Sequence, residues 1–283
     1  MQQEQTKSIF VAIVGRPNVG KSSLLNRMVG EKVAIVTAKP QTTRTRITGI
    51  LTRGAVQYVF LDTPGIHRPR TRLGERMAKA TADSVAEVDA VVMLFEPYGE
   101  LTEAEQALVE DIRVKKVPAL AAVNKTDTLK KETDLAVRMQ FLEELGVFRG
   151  VLPLCVSEDR GCTELLDALL PFAVESPHYF PDDAYTDMPE KALVAEVLRE
   201  KMLLNLRDEI PHGTAVTVER FKERGDKDII DIDVNIYCEK KSHKGMIIGK
   251  GGQMLKKIAS EARVECEEFL GARVNLQCWV KIK

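Results

Sequence analysis

Gly15-Arg16-Pro17-Asn18-Val19-Gly20-Lys21-Ser22 reads as GxxxxGK[ST], and its flanks fix the fold class. The apolar run Ile9 to Val14 comes before it, and Leu24, Leu25 and Met28 follow at helical spacing. A buried strand therefore feeds a helix through a glycine-rich turn. Such a turn offers backbone N–H groups and a helix N-terminus to phosphates. Lys21 reaches the outer phosphates, the Ser22 hydroxyl offers an oxygen to Mg²⁺, and Ser23 closes the run of nucleotide-contacting positions that starts at Gly15. Val56 to Leu61, Ala90 to Phe95, Ala119 to Val123 and Val151 to Val156 read as further buried strands, most of them followed by helical stretches. The expected architecture is a doubly wound α/β P-loop domain over residues 1–175.

The base is read elsewhere. Asn124-Lys125-Thr126-Asp127 follows the strand Ala119 to Val123, and a carboxylate there accepts hydrogen bonds from guanine N1–H and the 2-amino group. Adenine supplies neither, so the wrong base leaves Asp127 unpaired. Guanine is expected, with Asn124, Lys125 and Asp127 as its binding residues. Asp62-Thr63-Pro64-Gly65 ends another strand: Asp62 is expected to hold Mg²⁺ through water and the Gly65 N–H to meet a γ-phosphate, an ordinary turn being the plainer alternative. In Gln41-Thr42-Thr43-Arg44 one threonine completes the Mg²⁺ shell when a γ-phosphate is present, and Thr43 is preferred over Thr42. The expected metal ligands are Ser22, Thr43 and Asp62, and the expected catalytic set is Lys21, Thr43, Gly65 and Asn18.

Composition bounds the rest. A chain of 283 residues with 44% hydrophobic content has room for two compact units. The segment Glu175 to Pro189, with Pro177, Pro181, Pro189, Asp182 and Asp183, has no hydrophobic period, so residues 176–189 are expected to be a linker. Beyond it, Ala192 to Leu206 has helical spacing, Val216/Val218 and Ile230 to Cys238 alternate, a helix runs from about Gly252 to Leu270, and Val274 to Val280 alternate again. That gives α-β-β-α-α-β, a smaller α+β domain over residues 190–283. Within it, Gly249-Lys250-Gly251-Gly252 matches the GxxG loop of KH domains, here of type II, which hold single-stranded RNA. Lys244, Ile247, Ile248, Gly249, Lys250, Gly251, Gly252, Gln253 and Lys256 are the expected RNA contacts: glycines for close approach, lysines for phosphate, and the two isoleucines as an apolar floor for bases.

Forty-one basic residues nearly cancel forty-two acidic ones, so any affinity for nucleic acid must be local. Lys240, Lys241, Lys244, Lys250, Lys256 and Lys257 form such a patch with no acid among them; a solvated lysine face or a helix-entry turn is the plainer reading. Asp231 and Asp233 on one strand face are expected to repel RNA there, and Trp279 reads as packing or surface cover. The five cysteines lack CxxC spacing, which argues against zinc and a disulfide framework. Met1 to Ser8 is polar and no apolar run approaches the ~20 residues a spanning helix needs, so a soluble, cytoplasmic protein is expected; a monomer is the default expectation, with no residue pattern behind it.

GRPNVGKS, QTTR, DTPG and NKTD together resemble the translation-factor-like GTPases, and the Era branch in particular. Leu198-Arg199-Glu200-Lys201, Asp208-Glu209-Ile210-Pro211 and the stretch His243 to Gly249 resemble Era segments at matching places, so the resemblance covers nearly the whole chain. It implies GTP and GDP as ligands, GTP hydrolysis, and a bacterial factor that assists maturation of the small ribosomal subunit. Such a factor binds near the 3′ end of 16S ribosomal RNA, gated by nucleotide state, with peripheral contact at the inner face of the cell membrane in some members. In that family a Ser-Ala pair lies near guanine O6; here Val156-Ser157-Glu158 stands in its place, which nominates Ser157 and Glu158 as contacts. Ras-like enzymes carry a water-orienting glutamine where this chain has Ile66, so intrinsic turnover is expected to be slow. Asn18 resembles the asparagine that helps hold K⁺ in potassium-activated relatives; a plain turn-former is the equal alternative. His67, Arg68, Arg70 and Arg72 read as a solvated basic loop.

Two other functional classes stay open on residues alone. One is a membrane-associated signalling GTPase whose C-terminal domain binds protein or, through its lysines, anionic lipid. The other is an ATP-driven kinase, which the NKTD motif opposes.

Overall fold

The computed structural model describes residues 5–39, 42–65, 79, 81, 83–207, 210–225 and 228–283. Gln41, Ile66, His67, Arg68, Arg70, Arg72, Asp208 and Glu209, with the first four residues of the chain, lie outside the described residues. The chain divides into two compact units, one of Met1–Ala34 with Thr43–Asp187, the other of Ile35–Thr42 with Met188–Lys283.

The first unit is built on β1 (Lys7–Gly15), which pairs in parallel with β3 (Val56–Asp62) on one side and β4 (Ala90–Phe95) on the other. β5 (Ala119–Val123) and β6 (Gly150–Pro153) continue the parallel sheet beyond β4, β2 (Ile47–Arg53) closes the opposite edge antiparallel to β3, and the two-residue β7 (Val174–Glu175) pairs antiparallel with the start of β1. Every residue of β4 and β5 is buried, as in a sheet covered on both faces. Successive connections leave β1 towards opposite sides, so the strand order reverses there and a crevice opens at its carboxyl end. The P-loop fills that crevice and leads into α1 (Lys21–Val29). Then come α2 (Glu103–Lys115), α3 (Glu132–Glu144) and α4 (Cys162–Leu169).

Three features depart from the sequence reading. β2 carries Gly49 in mid-strand, where a Cβ would lie 2.4 Å from Leu25 Cδ1; close packing of α1 requires that glycine, which also hides the strand pattern. The strand expected over Val151 to Val156 stops at Pro153, and Val156 opens a 3-10 turn instead. The expected linker is tied to the first unit as far as Asp187. Buried Gln57 accepts from Tyr179 N at 2.8 Å and Phe180 N at 3.0 Å and donates to Phe180 O at 2.9 Å, while Ile50 N donates to Tyr185 O at 2.8 Å. Hydrogen bonds to a buried amide and to the β2 edge replace the apolar period that the segment lacks.

The second unit runs α5 (Glu190–Asn205), β8 (Thr214–Glu223), β9 (Ile229–Cys238), α6 (Lys241–Ile248), α7 (Gln253–Leu270) and β10 (Arg273–Ile282). β9 is central, antiparallel to β8 and parallel to β10. Its alternating Ile230, Ile232, Val234 and Ile236 share one core with Val194, Leu198 and Met202 of α5 and with Ile258, Ala262 and Cys266 of α7. The α-β-β-α-α-β order matches the alternation read from the sequence. All five cysteines are free thiols, and burial pushes Cys162 up to about 11 and Cys266 and Cys278 up to about 12.

Candidate nucleotide site and nucleic-acid loop

Lys21 opens α1 with its side chain buried, and its Nζ donates to Gly15 O at 3.1 Å and Arg16 O at 2.9 Å. Burial pushes the ammonium down to about 8, against the pull of Asp62. Asp62, at the end of β3, is fully buried; its Oδ2 accepts from Ser22 Oγ at 2.6 Å and Thr43 Oγ1 at 3.3 Å, and those two hydroxyls lie 2.9 Å apart. Burial pushes its carboxyl up, partly offset by Lys21, Ser22 and Thr43. Asp62 Oδ1 is buried without a hydrogen-bond partner. An orphaned carboxylate oxygen beside two converging hydroxyls is a hard, all-oxygen donor set that fits Mg²⁺ completed by phosphate oxygens. Of the two adjacent threonines it is Thr43 that faces this set; Thr42 Oγ1 instead donates to Lys39 O at 2.7 Å.

Around these groups the loops are in contact. A Cβ on Gly20 would lie 2.3 Å from Asn124 Nδ2, and one on Gly65 would lie 2.8 Å from the Pro17 backbone, so neither position accepts a side chain without displacing the loop it touches. Thr63 Oγ1 donates to Ile13 O at 2.9 Å and Thr81 Oγ1 to Pro64 O at 3.2 Å, which makes Thr63 and Pro64 supports for the turn. Val19 is buried, Ser23 is half-buried, and Asn18 stands exposed at the loop tip with φ 62.

At the base end, Asn124 Nδ2 donates to Val19 O at 2.8 Å, fastening this loop to the P-loop, and Asn124 Oδ1 accepts from Val156 N at 3.2 Å. Lys125 Nζ donates to Glu96 Oε1 at 2.8 Å. Asp127 is exposed, with its Oδ1 accepting from Cys155 Sγ at 3.1 Å. The nominated Ser157 and Glu158 are both exposed: Ser157 Oγ lies 3.3 Å from the Cys155 thiol, and Glu158 pairs with Arg160 at 2.5 Å. Val156 and Cys155 thus tie this segment to Asn124 and Asp127, and the exposed Ser157 and Glu158 follow directly beside them.

In the second unit α6 ends at Gly249-Lys250-Gly251-Gly252 and α7 begins at once. A Cβ on Gly251 or Gly252 would meet nothing within 4 Å, so both face open space. Lys250, Gln253 and Lys256 are exposed, while Lys244 and Ile248 are half-buried. Ile247 is a correction: it is 0% exposed inside the second core and cannot form a floor for bases, whereas its neighbour Met246 is 53% exposed. Asp231 is also not the free acid expected, since Arg224 binds it at 2.9 and 2.6 Å and Asn275 at 2.8 Å. Arg220 lies 4.0 Å from Asp233, so the repulsive face is largely neutralised. Trp279 is 45% exposed on β10.

Two family patterns match the chain: one described as 50S ribosome-binding GTPase over residues 10–125, the other as KH domain over residues 209–283. GTPase Era of Clostridioides difficile is 45% identical over 277 residues, covering 98% of this chain and 93% of its own. GTPase Era of Caldicellulosiruptor saccharolyticus is 46% identical over 278 residues, with 98% and 92% covered. A crystal structure of Era in complex with MgGDPNP and nucleotides 1506–1542 of 16S ribosomal RNA matches with a TM-score of 0.93 at 32% identity, covering 98% of this chain and 94% of that one. Aquifex aeolicus Era bound to GDP and AlF4⁻ matches with the same TM-score, identity and coverage. Likeness at this level over nearly the whole length joins the phosphate pocket and the GKGG turn in one conclusion: the chain belongs to the Era family of GTPases, a P-loop GTPase domain followed by a KH domain.

Proposed function

We propose that this GTPase binds single-stranded 16S ribosomal RNA near its 3′ end through the GKGG turn and assists maturation of the small ribosomal subunit. The observation that carries the reading is the open approach to Gly251 and Gly252 inside a lysine patch on a chain with no net basic excess. A nucleic-acid backbone can come close there while Lys250 and Lys256 meet its phosphates. The related Era held with 16S nucleotides 1506–1542 supports the choice of RNA.

On the nucleotide side, the P-loop from Gly15 to Ser23 and the turn from Asp62 to Gly65 enclose the phosphates, and Asn124, Lys125 and Asp127 read guanine. Ser22, Thr43 and Asp62 would hold Mg²⁺, which supplies positive charge against the phosphates. Lys21 is positioned to turn from the Gly15 and Arg16 carbonyls to the outer phosphates, and a polyanion there restores its full charge. Intrinsic turnover is slow, and K⁺ at Asn18 would help neutralise charge that develops during transfer. Equal GTPase rates in K⁺ and Na⁺ would remove that role. Nucleotide gating of RNA binding must be reciprocal: if GTP tightens RNA, RNA tightens GTP by the same factor.

The test is RNA binding by the intact chain with a GTP analogue, with GDP and without nucleotide, using RNA from the 16S 3′ end and a scrambled control. Selective binding that is tightest with the analogue and lost in Gly251→Asp supports the proposal. No selective binding in any state, with binding to anionic vesicles instead, would replace it with a membrane-associated signalling GTPase.

A further inference from the structure

Arg16 sits inside the P-loop, but its side chain turns away from the phosphate pocket towards two carboxylates. Its Nε lies 3.0 Å from Glu105 Oε1, an ion-pair distance outside hydrogen-bond geometry, and its Nη2 lies 3.9 Å from Glu96 Oε2. Glu96 Oε1 in turn accepts from Lys125 Nζ at 2.8 Å, so one carboxylate stands between the phosphate loop and the guanine-reading loop. Glu105 is 0% exposed. It is the N3 residue of the capping box that opens α2, where its Oε2 accepts from Thr102 N and Thr102 Oγ1, both at 2.8 Å. The cap thus occupies one oxygen and leaves the other for Arg16.

We propose that Glu105 and Glu96 are positioning residues for nucleotide binding: they hold the Arg16 guanidinium and, through it, fix the P-loop against the guanine-reading segment at Lys125. The charge arrangement says why the side chain of a loop residue matters. A second guanidinium, Arg138, is buried on the same side, anchored to Glu96 O at 3.2 Å and Gly99 O at 2.8 Å and lying 5.7 Å from the Phe95 ring centroid. Arg138 is held below the ordinary arginine range by burial first; Glu105 works against that shift and Arg16 adds to it. The negative charge of Glu105 therefore offsets the repulsion between two cations. With its charge removed, the group free to move is Arg16, because it belongs to a loop, whereas Arg138 is fixed on α3. Arg16 O also accepts from Lys21 Nζ, so displacing Arg16 displaces the lysine meant for the outer phosphates.

The inference rests on the P-loop being the nucleotide site, and that assignment has its own control. Fluorescent GDP should bind the full-length wild type and be displaced by GTP; failure there would sink the assignment itself. Given wild-type binding, Glu105→Gln keeps an acceptor for the cap but removes the charge. Its KM for GTP should rise on the order of ten-fold and GDP should leave faster by a similar factor, with kcat falling by less than about three-fold, the pattern of lost uniform binding. Arg16→Lys keeps charge but loses the planar fork, and should move KM the same way by less. Thr102→Ala damages the same cap from its other side without touching Arg16: it should lower the melting temperature and leave KM at the wild-type value. A wild-type KM in both Glu105→Gln and Arg16→Lys would overturn the inference. So would a KM rise in Thr102→Ala equal to that in Glu105→Gln, because the effect would then be helix stability.

Discussion

Two glycine-rich turns deliver a lysine to a helix start in this chain, one at Gly15 to Lys21 and one at Gly249 to Gly252, and they are built in opposite ways. In the first, Lys21 is buried and bonded to loop carbonyls, and the glycines are there because backbone and side chains from other loops press against them. In the second, Lys250 is exposed and the space beyond Gly251 and Gly252 is empty to 4 Å. The contrast follows from the ligands. A nucleotide is compact and must be gripped from several sides by a pocket formed in advance, whereas a polymer backbone needs clearance on an open surface.

The harshest way to break the comparison is a methyl group. Gly20→Ala adds a Cβ at φ 107 and 2.3 Å from Asn124 Nδ2, so it strains the P-loop and pushes off the Asn124 amide that fastens it to the base loop. GDP affinity should fall on the order of a hundred-fold, or about 3 kcal/mol, by fluorescence titration. Gly252→Ala pays only the left-handed backbone strain, about 1–2 kcal/mol of folding stability, and should leave GDP affinity unchanged. Equal effects of the two on nucleotide binding would mean that the turns do not differ as described.

A smaller effect sharpens the base end. Cys155 Sγ donates to Asp127, and a thiol is a weak donor. Cys155→Val removes the donor at similar volume and should weaken GDP about three- to ten-fold while narrowing the preference for GDP over ADP; Cys155→Ser should tighten GDP by a few-fold. Competition titrations read both. A serine variant that binds more weakly than wild type would rule out donor strength as the limit.

The same two turns mark what was legible in the sequence. The P-loop, the NKTD segment and the GKGG turn were readable because each is a short local pattern whose chemistry demands particular residues at fixed spacing. The doubly wound order was readable because β4 and β5 are continuous apolar runs. Ile247 misled because position beside a binding loop says nothing about which way a side chain points; the helical turn of α6 sends it inward. The Cys155–Asp127 contact was out of reach because it depends on where β6 ends, and an edge set by one proline falls within the usual uncertainty of strand boundaries. The carboxylates around Arg16 were out of reach altogether, since Glu96 and Glu105 meet it only through the fold.

A milder test of the open turn uses salt. If Lys250 and Lys256 each meet a phosphate, Lys250→Ala with Lys256→Ala should reduce the slope of log affinity against log salt by about 1.4, or 0.7 for each contact to single-stranded RNA. Nucleotide affinity should not move. An unchanged slope would mark both lysines as solvated surface groups.

The smallest expected effect contrasts two aspartates. Asp62 in the pocket has its carboxyl pushed up by burial, which prepares it for a cation, while Asp231 on β9 is held well below the usual carboxylate range, chiefly by hydrogen bonds from Arg224 and then Asn275. For Asp231 the unfolded chain takes up the proton first as pH falls. Its stabilisation is therefore complete well above the unfolded value of about 3.9 and is lost as pH drops through and below it. The lone tryptophan, Trp279, lies opposite Asn235 of β9, so its fluorescence reports melting of the second unit. Asp231→Asn should melt about 2 °C below wild type at pH 7, and the gap should start to narrow near about pH 5 and go on narrowing below about pH 3, because wild type loses what the variant never had only as pH falls to the depressed folded value. A gap that stays constant over that range would show that Asp231 acts through packing, and that the arginines around it are there for another anion.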